Sequence, residues 1–351
     1  MTKMTRILRT LAAIALTAPL ATALVGCGPK KPVLHIYTWS DYMADGVVER
    51  FENAHNCKVV IDTYDSNEAM YAKLTAGATG YDLLFPSSYM VKLLYKNNMI
   101  QPIDHSKIPN LSQLDPAYLA LAFDKDMHHS VPYTVTIGGL GYLASRVDNP
   151  VASWSMLDRT EFKGRMTLLD DYRETIGAAL KANGFSINTT DDAELAAAKE
   201  TVLRWKKNIA KFDNEQYKNG LASGEFFVTH GYSGDVKLVK DENDDVQFLV
   251  PAEGTTLSID DMVIPVSAKE VDLAHAFINA VLEPVNAAEL IQEIYYLCPN
   301  IGCYELLPED FRNDPIFFPP TEVIGKLEMI DDLGEAGVKY TTLWDEIKAA
   351  E

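Results

Sequence analysis

Apolar runs and helically spaced stretches alternate along the first part of the chain. Val33, Leu34 and Ile36 read as a buried parallel strand, and the sequence turns polar at Thr38-Trp39-Ser40-Asp41-Tyr42. Val47, Val48 and Phe51 then recur at helical spacing over Gly46 to His55, and Lys58 to Tyr64 forms the next strand. A helix over Ser66 to Ala76 turns Met70, Tyr71 and Leu74 inward, Tyr81 to Phe85 is a third strand, and Pro86-Ser87-Ser88 opens a helix over Tyr89 to Asn97. Such alternation at short intervals predicts a parallel sheet flanked by helices. Ser130 to Leu143, β-rich with Gly138, Gly139 and Gly141, reads as a crossing into a second domain. There the pattern predicts strands at Arg165 to Leu169, Phe226 to Thr229 and Val246 to Val250, and helices at Arg173 to Ala182 and Ala193 to Ile209. Asp261 to Pro265 crosses back, before helices at Asp272 to Leu282 and Asn286 to Tyr296. Two crossings mean two α/β lobes with a cleft between them, lobe 1 being 33–136 plus 262–308 and lobe 2 being 137–261 plus 309–351.

Length agrees with two domains, because 351 residues exceed one typical core. The first 26 residues stand apart: Lys3, Arg6 and Arg9 form a basic start, Leu11 to Leu20 an apolar stretch, and Leu24-Val25-Gly26-Cys27 ends in a small residue followed by Cys. This is a secretory signal, too short for a spanning helix. LVGC resembles a bacterial lipobox, which implies cleavage before Cys27, lipidation of its sulfur and a tether over 27–32. Loss of the three basic residues takes the formal charge from −19 to −22. Such a surface repels nucleic acid and anionic headgroups and draws in cationic ligands, although a well-solvated acidic secreted protein also looks this way. Cys57 reads as a buried thiol beside Val59-Val60-Ile61; Cys298 and Cys303 are near enough in sequence for a local disulfide in an oxidising compartment. No Cys or His spacing suggests a metal, and no cofactor motif stands out, since GGLG lacks the lysine and spacing of a phosphate loop.

Ligands bind outside the carboxyl ends of strands in open α/β sheets, and acidic clusters fall at such ends here. They are Asp41 in WSDY, Asp171 with Glu174 in DDYRE, Asp235 in YSGDV, and Asp260 with Asp261 in SIDDM, accompanied by Tyr89, Tyr232 and Tyr296. Each alone has a structural explanation: Asp41 as a helix cap, Asp171 and Glu174 as first-turn acids, Asp260 at a strand end, Ser87 or Ser88 as an N-cap. Their convergence, with the π faces of Trp39 and Tyr42, points to a pocket for a small cation.

Over nearly its whole length after the signal, the chain resembles the bacterial polyamine-binding proteins of ABC importers. YTWSDYM, YDSNEAMYAKL, YDLLFPSSY, DDYRETI, PAEGTTLSIDDMVIP and LCPNIG look like that family's segments in the family's order. The resemblance implies a type II periplasmic-binding fold of two α/β lobes that close on spermidine or putrescine. It further implies a cleft lined by Trp39, Ser40, Asp41, Tyr42, Ser87, Tyr89, Asp171, Glu174, Tyr232, Asp235, Asp260 and Tyr296. The expected partners are a polyamine, a permease in the cytoplasmic membrane and, through Cys27, the membrane itself, with the protein a monomer in the periplasm or at the cell surface. The chemistry agrees: an apolar chain ending in ammonium groups needs flat aromatic walls and a carboxylate at each end. The chain departs from the family at Tyr232, where many relatives place Trp, at Ser258, where they place an aromatic, and at Ile330, where spermidine binders place Gln. Ser40-Asp41 in place of Thr-Glu, together with Asp235, looks more like the putrescine-binding branch.

Other readings are an enzyme, a carrier of another solute such as a sugar, and a surface sensor on the same fold. Gly231-Tyr232-Ser233-Gly234-Asp235 is one residue from a nucleophile elbow, having Asp235 where the fifth position needs Gly. His128, His129 and His230 have no carboxylate or Cys at ligand spacing, so no catalytic residue is expected.

Overall fold

The computed structural model describes residues 31–319 and 321–350; the expected signal segment 1–26, Cys27 and the tether up to residue 30 lie outside the described residues. Strand β1 (Val33–Trp39) is the middle of a three-stranded parallel sheet, flanked by β2 (Lys58–Tyr64) and β3 (Leu83–Leu84). A central position explains its run of buried residues, Leu34, Ile36, Tyr37 and Thr38. The third strand is shorter than its apolar pattern suggests because the buried Asp82 interrupts it. That carboxylate accepts hydrogen bonds from the backbone N–H groups of His35, Lys269 and Glu270, so it ties the sheet edge to a distant segment.

Helix α1 (Asp45–His55) follows β1, and Ala44 rather than Asp41 occupies its N-cap, with no side-chain cap bond. Asp41 therefore does not cap the helix; its backbone is left-handed, with φ 52°, in the turn before it. Helix α2 (Asn67–Thr75) is capped by Ser66, whose Oγ accepts from Ala69 N at 3.1 Å. Helix α3 (Ser88–Lys96) has Ser87 at its N-cap position, but that hydroxyl makes no cap bond and is engaged elsewhere.

Two long strands carry the chain between the two hydrophobic cores. β4 (Val131–Leu143), buried at every residue, pairs antiparallel with β9 (Thr255–Met262) over its first half. Its second half pairs antiparallel with β7 (Val228–Tyr232) and β8 (Val246–Leu249). Val131, Tyr133, Val135 and Ile137 pack into one core, whereas Leu140 and Tyr142 pack into the other. The parity changes from odd to even across Gly138-Gly139, so one strand serves opposite faces on either side of the glycine pair. These glycines meet a packing requirement: a Cβ at residue 139 would fall 2.6 Å from the Leu249 carbonyl oxygen and 2.5 Å from the Phe248 ring. The return crossing begins earlier than its sequence pattern indicates, so Asp260 and Asp261 lie inside β9 and not at its start.

The second core is built on β5 (Met166–Leu168), which pairs in parallel with β7 and with β6 (Lys211–Phe212), and on α5 (Tyr172–Ala182) and α6 (Asp192–Lys206). The seven-stranded sheet is mixed, and β10 (Leu327–Met329) pairs in parallel on its outer side with β9. Two helices without a clear sequence signature stand beside β7: α7 (Tyr217–Ser223) and α8 (Ser233–Glu242). Cys298 and Cys303 remain separate buried thiols, and burial pushes the Cys303 thiol up to about 12. Among the described residues no helix is long and apolar enough to cross a membrane.

The close approach at β4 and β8 gives a direct test. Gly139→Ala should lower stability by about 1–3 kcal/mol, because the neighbour it meets is backbone and cannot rotate away. Urea unfolding followed by tryptophan fluorescence reads this, and an unmoved midpoint would show that the two strands part without cost.

Candidate functional site

All the expected residues except Asp41 line one cleft. β1 and the turn after it bring Trp39, Ser40 and Tyr42; the start of α3 brings Ser87 and Tyr89; the start of α5 brings Asp171 and Glu174. β7 and α8 deliver Tyr232 and Asp235, β9 delivers Asp260, and Tyr296 follows α10 (Pro284–Ile294), where Tyr295 takes the left-handed cap position. Trp39 is fixed by donation from Nε1 to the Phe85 carbonyl at 2.9 Å and by contact with the Tyr64 ring at 4.5 Å between centroids.

Asp260 is 6% exposed and accepts from two hydroxyls: Ser87 Oγ at 2.6 Å and Tyr42 Oη at 2.5 Å. Burial pushes its carboxyl up to about 6 against the opposing pull of those two bonds. Ser87 is in turn held by Asn67, whose amide donates to Ser87 Oγ at 3.1 Å and accepts from its backbone N–H. Strand alternation sends the next residue the other way: Asp261 accepts from Ser88 Oγ at 2.5 Å, and burial pushes it up to about 8.

Asp171 is the N-cap of α5 and accepts from the N–H groups of Arg173 and Glu174, so its structural reading and its place in the cleft both hold. Glu174 is buried and accepts from Thr256 Oγ1 at 2.6 Å. Burial raises both carboxyls, with Glu68 adding to the rise at Asp171 and Asp171 adding to that at Glu174. Their neighbour Arg173 is turned away, donating to the Asp331 carbonyl and to Asn188 Oδ1 at 2.7 Å each.

Asp235 accepts from Tyr217 Oη at 2.6 Å and from Tyr296 Oη at 2.8 Å. Both phenols are kept protonated, first by burial and next by the charge of Asp235 itself. The Tyr296 ring lies directly on the first turn of α8, because residue 234 is glycine and a Cβ there would come within 2.6 Å of it. The GYSGD segment therefore forms a strand-to-helix turn that seats a phenol, and its Ser233 hydroxyl accepts from the Ile137 N–H. His230 packs edge-on against Trp154 in the second core, and burial lowers it to about 3, a neutral core histidine.

Asp41 stands apart. Its side chain is 71% exposed and pairs with Lys218 at 3.3 Å, because the left-handed turn after Ser40 swings it outward. The cleft also contains residues that sequence reasoning did not select: Asp65, Asn67, Thr136, Arg173, Asn214, Glu215 and Lys218. Asn67 sits in the YDSNEAMYAKL block and Arg173 in DDYRE, so both were within reach of the motif comparison, whereas α7, which carries Lys218, lies in none of the quoted motifs.

An aromatic-walled cleft floored with carboxylates, formed where two α/β cores share their crossing strands, is the arrangement of a two-lobed solute-binding protein. The chain belongs to the bacterial extracellular solute-binding protein family, whose sequence model matches residues 46–319. It is 34% identical over 321 residues to spermidine/putrescine-binding periplasmic protein 1 of Haemophilus influenzae, covering 91% of this chain and 89% of the relative. A solved structure from Listeria monocytogenes superposes with a TM-score of 0.87 at 35% identity, covering 91% of this chain and 99% of its own. A Treponema pallidum lipoprotein superposes with a TM-score of 0.82 at 32% identity, covering 90% and 99%.

The raised carboxyl at Asp260 fixes the sign of a pH effect. Between the ordinary carboxylate range and about 6 the empty folded protein holds a proton that the unfolded chain releases. Stability contributed by this group is thus present at low pH and lost as pH rises through that window. Asp260→Asn should be more stable than the wild type at pH 7.5 by about 1–3 kcal/mol, with the gap closing toward pH 4. Denaturant titrations without ligand at the two pH values check this; a gap that does not change with pH would show that Asp260 titrates normally.

Proposed function

We propose that this protein captures polyamines outside the cytoplasmic membrane and delivers them to an ABC permease, binding putrescine at least as tightly as spermidine. The observation that carries the reading is the set of cleft carboxyls, the buried Asp260 and Glu174 with the half-buried Asp171. Among the described residues none of them has an ion pair with a lysine or arginine. A buried carboxylate needs a cation, and a molecule with an ammonium at each end of an apolar chain supplies two. Trp39, Tyr89, Tyr232 and Tyr296 offer the faces along which that chain lies. The names of relatives, the Haemophilus protein among them, support the same ligand class.

In this reading the bodies that close are 33–136 plus 262–308 and 137–261 plus 309–351, hinged on β4 and β9, and the closed form docks on the permease. The protein acts as a monomeric carrier and performs no catalysis. Lipid on Cys27 holds it at the membrane surface, a reading supported by the lipobox and by the likeness to the Treponema lipoprotein. One acyl chain binds only marginally, so stable anchoring takes more than one.

Titration calorimetry on ligand-free protein, with putrescine, spermidine, cadaverine and a neutral sugar in turn, tests the ligand class. Sub-micromolar binding confined to the amines is expected; binding of the sugar alone would overturn the reading. Spermidine at least tenfold tighter than putrescine would overturn the ranking.

Within the same assay Asp260→Asn should weaken putrescine by more than about tenfold, since it removes a buried counter-charge. Asp191→Asn, at the exposed N-cap of α6 where an amide oxygen also accepts, should leave affinity unchanged. Equal affinities for the two variants would remove Asp260 from the binding site.

A further inference from the structure

The carboxylate positions of the cleft are not equivalent. Asp260 meets hydroxyls, Glu174 meets a threonine hydroxyl, Asp171 meets backbone N–H groups, and all three lack an ion pair within the protein among the described residues. Asp235 has two phenolic donors and, in addition, a resident cation: Lys218 Nζ stands 3.8 Å from its Oδ1. The Lys218 side chain reaches out of α7 into the cleft and is only 12% exposed. Its ammonium is also 3.3 Å from Asp41, on the far side of the cleft mouth. Burial works against the charge, but Asp235, Asp41 and Glu215 outweigh it and hold Lys218 above the ordinary lysine range. The Asp235 end of the site is therefore already satisfied, by a cation that belongs to the chain.

We propose that Lys218 is a specificity-determining residue that occupies one ammonium position of the cleft, so that the protein selects diamines over triamines. This rests on the polyamine reading above and assigns a residue to its ranking. A diamine places its two ammonium groups at Asp260 and at the Asp171–Glu174 pair and leaves Asp235 to Lys218. A triamine brings a third ammonium into a cleft where Asp235 is taken and the Lys218 ammonium itself stands, and like charge at close range in a poorly solvated site opposes it. The same pairing explains why Asp41 faces the rim: it is the second counter-ion of Lys218 and not a wall of the pocket.

The test is titration calorimetry of ligand-free wild type, Lys218→Met and Lys218→Arg with putrescine and with spermidine, reading the ratio of the two affinities. Lys218→Met keeps the stem and removes the charge, and should shift the ratio toward spermidine by about tenfold or more. Lys218→Arg keeps the charge and should retain the wild-type ratio. Lys218→Gln, a polar neutral replacement, serves if the methionine variant does not melt cooperatively. A ratio unmoved in a folded neutral variant, or moved as far by arginine as by methionine, overturns the role of Lys218 while leaving the polyamine reading standing. A wild type that binds neither amine overturns both.

Discussion

A carboxyl group shut away from water must be given a cation or keep a proton, and this choice governs the cleft. Asp260, Asp171 and Glu174 are enclosed with hydroxyl or backbone donors and no ion pair among the described residues; the charge of Arg173 pulls Asp171 and Glu174 down less than burial raises them, so in the empty protein burial holds all three toward the protonated form. Hydrogen bonds from Ser87, Tyr42 and Thr256 orient their oxygens and partly stabilise the charge, but two or three dipoles do not replace an ion. A positively charged ligand, as proposed, would supply the charge these carboxyls lack. Asp235 shows the other solution: with Lys218 beside it and two phenols donating to it, it asks little of a ligand.

The backbone makes this possible by bringing polar chemistry to the meeting line of two apolar cores. β4 changes its buried face at Gly138-Gly139, which lets one strand pack in both cores and leaves room for Glu174 and Thr256 against residue 138. A Cβ there would lie 2.4 Å from Thr256 Oγ1 and 3.0 Å from Glu174 Oε2. The glycine cluster in the sequence therefore marks close packing beside the cleft. β9 completes the arrangement by sending Asp260 toward Ser87 and Asp261 toward Ser88, a division that follows from the two-residue period of a strand.

What could be read from the sequence follows from how local each feature is. β1, α1 and β2 were legible because a central parallel strand needs a continuous apolar run and the helix beside it needs one apolar face. The cleft residues on those strand ends were legible too, through motifs that surround them. Asp41, expected in the cleft, lies outside its lining because a single left-handed residue between strand and helix turns its side chain outward, and nothing in WSDYM announces that turn. Lys218 and the helix that carries it were missed because α7 is seven residues long and its identity comes from packing of Tyr217 and Leu221, not from periodicity. The partners of Asp235 come from two segments distant from it, Tyr217-Lys218 and Tyr296, so no local pattern specifies them.

The ion pairs that join distant segments around the cleft bear on the closure proposed above. Lys92 in α3 reaches Asp331 beyond β10 at 2.9 Å, Lys96 reaches Asp332, and Lys218 reaches Asp41, with at least one partner of each pair more than half exposed. Ion pairs of that kind contribute about 0–1 kcal/mol each and weaken with salt. Against them stands the cost of enclosing the acids in their charged form, which burial already resists by raising all three carboxyls. Surface pairs can register the two lobes but cannot hold an ionised, empty cleft shut. In the proposed complex a cation between Asp260 and the Asp171–Glu174 pair would turn that opposing cost into a favourable pairing, so ligand charge would itself favour the closed form.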